Sequence, residues 1–335
     1  MELPLELITA IENETEAIPI NKLTALVSDI SKRYRDKNYS DKFLSGYDET
    51  IAYVVYRMPA TYGAIYTVLN HIKEVYNDFR PKSLLDVGAG PGTAMWAATA
   101  IWQDIDQITL LEKDENMINI GKKLSSNSNY DSIKNAKWLK IDLNRSFDAH
   151  RHDIVIASYS IGELNEDVQS KIIKKLWEIA NNILIIIEPG TKIGFSRIKR
   201  AREALISLGA NVIAPCPHAD ECPIDFDDWC HFSSRVQRTS LHRKVKNGQL
   251  PYEDEKFSYI CVSKKPCKAI KSRIIRHPQI RKGHVIIELC TKEGIKQVTV
   301  TKSNRDIYKK VRNLKWGSTF NFQDNSFHVN KLDVK

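Results

Sequence analysis

The run Leu84-Leu85-Asp86-Val87-Gly88-Ala89-Gly90-Pro91-Gly92-Thr93 limits the folds open to this chain more than any other stretch. A short apolar run predicts a buried strand, and the glycines that end it allow positive φ and a close approach of backbone to a ligand. Helical spacing resumes after Thr93, so the run reads as strand, tight loop and helix N-terminus, whose unpaired N–H groups suit a carboxylate or a phosphate. The third glycine follows the second after one residue, whereas a dinucleotide fingerprint separates them by two.

The same strand-then-helix rhythm continues beyond the loop. Short apolar runs at 83–87, 108–112, 138–141, 153–158 and 183–188 alternate with longer amphipathic stretches, which predicts an α/β fold with a parallel sheet covered on both faces. After a helix near 196–208, the runs 210–214 and 257–262 complete an expected seven-stranded sheet. Asp86 ahead of the glycine loop gives this region a resemblance to the class I S-adenosylmethionine-dependent methyltransferases, a Rossmann-like fold. On that reading Asp86, Gly88, Gly90 and Gly92 hold the cofactor. Glu112, at the end of the second strand, accepts bonds from both ribose hydroxyls, and Asp142, after the third, reaches the adenine edge.

No catalytic residue is named by the sequence. The segment Ser158 to Leu164, expected on the substrate side, lacks the Asn/Asp-Pro-Pro-aromatic tetrad of amino-group methylation, and no cysteine follows the fourth or fifth strand to attack a pyrimidine. Glu188, at the end of the fifth strand, is either a substrate-orienting carboxylate or a satisfied acid in a turn.

Three cysteines, Cys216, Cys222 and Cys230, stand within fifteen residues of one another in a loop rich in proline and acidic residues. Soft thiolates so placed converge only around something, and zinc or an iron-sulphur cluster suits them. The residues around Cys216 and Cys222 offer little apolar surface, which argues against simple core burial. A fourth ligand must come from Cys261, Cys267 or Cys290, or from His218, His231 or His242. Six cysteines in 335 residues is no disulfide scaffold, and the reading predicts a reducing compartment. The sequence has no signal-peptide pattern, no apolar run of membrane length and no Arg-rich transit character at Met1 to Leu7, so a bacterial cytoplasmic protein is expected, or the mitochondrial matrix for a eukaryotic chain.

Charge separates the two ends. Residues 231–335 carry 24 Lys and Arg against 8 Asp and Glu, whereas residues 1–230 carry 26 against 33. A cationic field of that size predicts an RNA partner, with no membrane and no DNA expected, and Arg273, Arg276, Arg281 and Lys282 are candidates for its face. The organisation expected is an N-terminal helical region at 1–80, in which Pro59 breaks or kinks a helix near Arg57, followed by a methyltransferase-like domain at 81–265. That domain carries a Cys-rich metal-binding insertion at 214–255, and a basic, β-rich extension follows at 266–335, with a hairpin at 283–289 and 296–301 turning at Glu293-Gly294.

With these residues in hand, the chain from about Tyr53 to Trp316 resembles the methyltransferase-like mitochondrial small-ribosomal-subunit proteins, a family with bacterial homologues. The resemblance rests on Arg57 to Tyr62, Asp86 to Gly92, Glu188 to Thr191, Pro215 to Phe232, Tyr252 to Tyr259, and Arg276-His277-Pro278 through Lys282-Gly283-His284. It implies S-adenosylmethionine binding, a four-iron, four-sulphur cluster on four cysteines, and action on or with the small ribosomal subunit, by ribosomal RNA methylation or by non-catalytic assembly. It also favours Cys290 over Cys261 as the fourth ligand beside Cys216, Cys222 and Cys230. A zinc-containing small-molecule methyltransferase is the competing reading.

Overall fold

A computed structural model describes residues 1–36, 44, 46–225, 227–246, 248, 250–268, 270–321 and 328–331. The ends of the basic segment, 322–327 and 332–335, therefore lie outside the described residues. The chain forms α1 (Leu5–Thr15), α2 (Ile20–Asp36), α3 (Tyr47–Val75), β1 (Ser83–Val87), α4 (Thr93–Ile101), β2 (Gln107–Glu112), α5 (Glu115–Ser125), α6 (Asp131–Lys134), β3 (Lys137–Lys140), β4 (His152–Ser158), α7 (Glu166–Ile179) and β5 (Ala180–Pro189). It continues with α8 (Lys192–Ser207), β6 (Asn211–Ala214), β7 (Phe232–Gln237), α9 (Ser240–Lys246), β8 (Tyr252–Ser263), β9 (Ser272–Ile274), β10 (Gln279–Arg281), β11 (His284–Thr291), β12 (Gly294–Thr301), α10 (Arg305–Val311) and β13 (His328–Lys331).

The larger sheet runs β3-β2-β1-β4-β5-β8-β6, with β7 paired on β8. Strands β1 to β4 are mutually parallel, and β8 runs antiparallel to β5 and β6. This mixed sheet keeps the expected parallel α/β core at β1 to β4 and adds antiparallel β8 beyond it. It has eight strands where the sequence predicts seven. The additional one, β7, lies inside the expected Cys-rich insertion; alternate residues Phe232, Ser234 and Val236 are buried. The serine in the middle of its buried face masks the two-residue apolar period.

Two compact units divide the chain, each assembled from separated stretches: 1–69, 80–160 and 234–255 make the first, and 70–79, 161–233 and 256–335 the second. The first holds α3's buried run Met58–Ile65, whose packing carries the helix through Pro59 without a break. Burial of so many apolar side chains, at about 1.5–3 kcal/mol each, exceeds the roughly 3 kcal/mol that an interior proline costs. In the second unit, β9 to β13 form a separate antiparallel sheet, with the predicted hairpin in register from His284↔Thr301 to Thr291↔Gly294. Val285, Ile287, Leu289, Val298 and Val300 alternate onto one face and pack with Tyr308 and Val311 of α10. Cys290 points to the other face, among Ile224, Ile275, Cys222 and Cys230, because successive strand residues face opposite ways.

Candidate cofactor loop and cysteine pocket

In the first unit the predicted loop has the backbone that its glycines permit, with φ of 69° at Gly88, 54° at Gly90 and 83° at Gly92. Two of these positions are crowded. A methyl on Gly88 would come within 2.4 Å of Ser160 Cβ, and one on Gly92 within 3.2 Å of the Trp138 indole. Gly90 faces open space, where an added carbon meets nothing within 4 Å. The helix α4 begins at Gly92 with no side-chain cap, which leaves its first N–H groups to a ligand.

Asp86, at the end of β1, is fully buried, and neither of its carboxylate oxygens has a hydrogen-bond partner. Burial and the neighbouring Glu112 push its pKa up to about 8. A buried, orphaned carboxyl beside an uncapped helix start is chemically suited to a ligand that brings a cation, and S-adenosylmethionine carries both an ammonium and a sulfonium. Glu112 ends β2 and accepts from three backbone N–H groups: Gly90 at 2.7 Å, Lys113 at 2.8 Å and Asp114 at 2.9 Å. Burial still raises its pKa. With about four lone-pair sites on a carboxylate, Glu112 keeps capacity for one further donor rather than for both ribose hydroxyls. Asp142, two residues past β3, is more open; bonds from Asn144 N–H and side-chain amide hold its pKa down. All three acids stand at the same ends of adjacent strands, as the register Val87↔Leu111 and Glu112↔Lys140 requires.

One polar chain beside this loop joins three stretches that the sequence singles out separately. Tyr159, the first residue past β4, has φ of 59°, a left-handed conformation that costs a bulky residue on the order of 1–3 kcal/mol. Its phenol donates to Glu255 at 3.2 Å, and Glu255 receives both guanidinium nitrogens of Arg57, at 3.2 and 2.9 Å. Arg57 is thus held mid-helix by a carboxylate instead of marking a helix end.

In the second unit, Glu188 is 1% exposed and accepts from Gly162 N–H at 3.1 Å and from Arg197 at 3.2 Å. It is the satisfied acid of the two readings. Cys216, Cys222, Cys230 and Cys290 line a single cavity of about 30 Å³, together with His218, whose Nε2 lies 3.9 Å from Cys290 Sγ. All six cysteines are free thiols. Burial pushes the thiol pKa up at Cys216, Cys230 and Cys290. The other ligand candidates lie elsewhere: Cys261 is inside β8 opposite Ile185, Cys267 donates to the Val212 carbonyl, and His231 stacks on Trp229. His242 belongs to the first unit, 3.6 Å from Glu253. As they stand, no three His, Cys, Asp or Glu among the described residues form a metal-holding group. The donor set itself, four cysteines lining one cavity, is of the chemical kind that suits a thiophilic metal.

Sequence reasoning missed two buried arginines, Arg202 in the cavity lining and Arg273 beside the lining residue Pro215. Arg202 shares the buried face of α8 with Ile198, Ala201 and Leu205 and binds the carbonyls of His218 and Asp220. Arg273 is 1% exposed and binds the carbonyls of Pro215 and Gly317, so it cannot belong to an RNA-binding face. The only signal was Arg202's place on the apolar stripe of its helix. Arg276 is paired with Asp228, which leaves Arg281 and Lys282 exposed among the four proposed from charge.

Comparison with known proteins now decides the family, because a family profile described as mitochondrial small ribosomal subunit Rsm22 matches residues 47–321. This chain belongs to the Rsm22 family. Rsm22-cox11 tandem protein 2, mitochondrial, of Schizosaccharomyces pombe is 27% identical over 324 residues, covering 81% of this chain and 43% of that protein. Ribosome assembly protein METTL17, mitochondrial, of Homo sapiens is 26% identical over 292 residues, covering 80% of this chain and 61% of the human protein. This Rsm22-family chain therefore spans less than two thirds of the length of either relative. Both are mitochondrial, which fits the matrix alternative and gives the bacterial-cytoplasm expectation no support. Among solved structures, a putative RNA methyltransferase from Pyrococcus horikoshii is 17% identical, with a TM-score of 0.38, 59% of this chain and 82% of that one covered. Among the described residues, no helix is long and apolar enough to cross a membrane.

Proposed function

We propose that this Rsm22-family chain is a small-subunit ribosome-assembly protein of the mitochondrial matrix that binds S-adenosylmethionine at 86–92 and ligates a four-iron, four-sulphur cluster through Cys216, Cys222, Cys230 and Cys290. One observation supports it above the rest: Cys290, far from the other three in sequence, lines the same cavity. Asp86, Gly88, Gly90, Gly92, Glu112 and Asp142 would hold the cofactor, which supplies an activated methyl group when bound. The orphaned Asp86 carboxylate would take the ligand's positive charge, and the uncapped α4 would take its carboxylate. Ribosomal RNA is the partner that suits the cationic segment.

Assembly without methyl transfer is the better-supported form of this reading, since Glu188 is committed to Gly162 and Arg197 and the Tyr159 phenol is committed to Glu255. Protein purified without oxygen should be brown and contain iron and acid-labile sulphide, because thiolate-bound iron absorbs visible light. A colourless, zinc-loaded protein would overturn the cluster. Methyl incorporation into small-subunit ribosomal RNA by the purified chain, abolished by Asp86→Ala, would replace the assembly reading with a catalytic one.

A further inference from the structure

The cysteine cavity has a charge problem that its hydrogen bonds do not solve. Arg202 and Arg273 are 4% and 1% exposed. Arg202 Nη2 donates to the His218 and Asp220 carbonyls at 2.9 and 2.7 Å; Arg273 donates through Nε to the Pro215 carbonyl at 3.0 Å and through Nη1 to the Gly317 carbonyl at 2.7 Å. Arg202 Nε and Arg273 Nη2 are buried with no acceptor. The ion pairs among the described residues include neither guanidinium; Arg197, Arg235, Arg238 and Arg276 each have a carboxylate, and these two do not.

Carbonyl dipoles orient a buried guanidinium but do not neutralise it, and arginine does not give up its proton inside a protein. Arg202 lines the cavity and Arg273 is held on the carbonyl of the lining residue Pro215, and two buried cations without carboxylates are unfavourable unless an anion lies near them. The groups available there are the thiols. Arg202 lines the cavity together with Cys216, Cys222, Cys230 and Cys290, and Arg273 is bonded to Pro215, the residue before Cys216. Four thiolates around a core of charge +2 carry a net −2, opposite in sign to the two guanidiniums and to the half-buried Lys199 that also lines the cavity.

We infer that Arg202 and Arg273 are the resident counter-charges of the cysteine site, positioned to stabilise four thiolates around a core of charge +2. This rests on the metal reading proposed above. Each arginine also ties the site to the backbone that carries it. Arg202 grips the stretch between Cys216 and Cys222, and Arg273 grips the residue before Cys216. The core's charge and the loop's path are thereby set by the same two side chains.

The test is a Co²⁺ titration of the metal-free, reduced full-length chain without oxygen, read by thiolate-to-cobalt absorption. Arg202→Gln and Arg273→Gln remove charge, whereas Arg202→Lys and Arg273→Lys keep it while losing the planar fork. Each Gln variant is expected to lose about 10- to 100-fold in Co²⁺ affinity, the range typical of groups that support metal ligands, and each Lys variant to stay within a few-fold of the parent. Equal losses in Lys and Gln variants would mean that the arginines only clamp carbonyls, and undiminished affinity in the Gln variants would mean that they do neither; either result overturns the inference. Parent protein that binds no Co²⁺ through Cys216, Cys222, Cys230 and Cys290 would remove the metal reading itself and the inference with it. Arg202 and Arg273 stand on separate elements, so if one variant fails to fold the other still decides.

Discussion

Asp86 sets a pH dependence that can be worked out in sign. Its folded pKa, about 8, is above the ordinary value of 3.8, so between those values the folded chain holds a proton that the unfolded chain has released. Stability from this group is complete below pH 4 and is lost as pH rises toward 8. Ligand-free protein should therefore melt at a lower temperature at pH 8 than at pH 5, and Asp86→Asn should flatten that difference by removing the charge. The same variant should weaken S-adenosylmethionine binding by on the order of 1–3 kcal/mol in calorimetry, since it withdraws the anion that faces the ligand. Unchanged affinity would move the ligand's cation elsewhere. The cysteines give a second residue-level expectation: serine at 216, 222, 230 or 290 should each reduce bound iron and sulphide, whereas Cys267→Ser and Cys261→Ser should not. These positions were legible because a carboxylate before glycines and a cluster of thiols are unusual residue types in those settings. Arg202 and Arg273 were not, because an arginine in a sequence ordinarily signals solvent, and only the folded cavity shows where they lie.

Among the elements, α3 and β7 meet where α3 has no side chain. A methyl on Gly63 would lie 2.3 Å from Val236 Cγ2 and 3.2 Å from Ser234 Oγ. Alanine at a helix interior normally gains about 1 kcal/mol over glycine, but overpacking costs typically 1–3 kcal/mol. Gly63→Ala should therefore lower stability in chemical denaturation, and Val236→Ala added to it should recover part of the loss. If Gly63→Ala is stabilising, the close packing of α3 on β7 is wrong. This contact was invisible in the sequence, where Gly63 reads as a helix weakness and β7 goes unrecognised through its buried Ser234. The hairpin β11–β12 was plain because Glu293-Gly294 ends one alternating run and begins another. Pro59 misled because its cost is local, whereas the burial that outweighs it comes from distant chain.

At the scale of the molecule, the charge asymmetry is real but only partly available to a partner. Arg281, Lys282 and Lys302 are exposed at one end of the smaller sheet, where Lys302 N–H binds the Gly283 carbonyl. If this edge meets ribosomal RNA, changing the three to glutamate should weaken binding and flatten its salt dependence, by about 0.7 to 0.9 of a logarithmic unit per lost phosphate contact. Filter binding at several salt concentrations reads both effects, and a slope equal to the parent's would place the RNA on another surface. Arg273 has no part in this, being buried and committed to the Pro215 and Gly317 carbonyls.

The interleaving of the two compact units has a consequence for how the chain is made. Strands β1 to β4 of the first unit are complete in the nascent chain once residue 160 has emerged, yet the unit also needs 234–255, including most of β7 and all of α9. At about 5–20 residues per second, the roughly 95 residues between these points take on the order of 5–20 s to synthesise. During that interval the buried face of α3 around Gly63 has no β7 to cover it, and the chain emerging meanwhile is the one that carries Cys216, Cys222 and Cys230. Chaperone occupancy measured along the nascent chain should therefore persist past residue 160 and end only after residue 255.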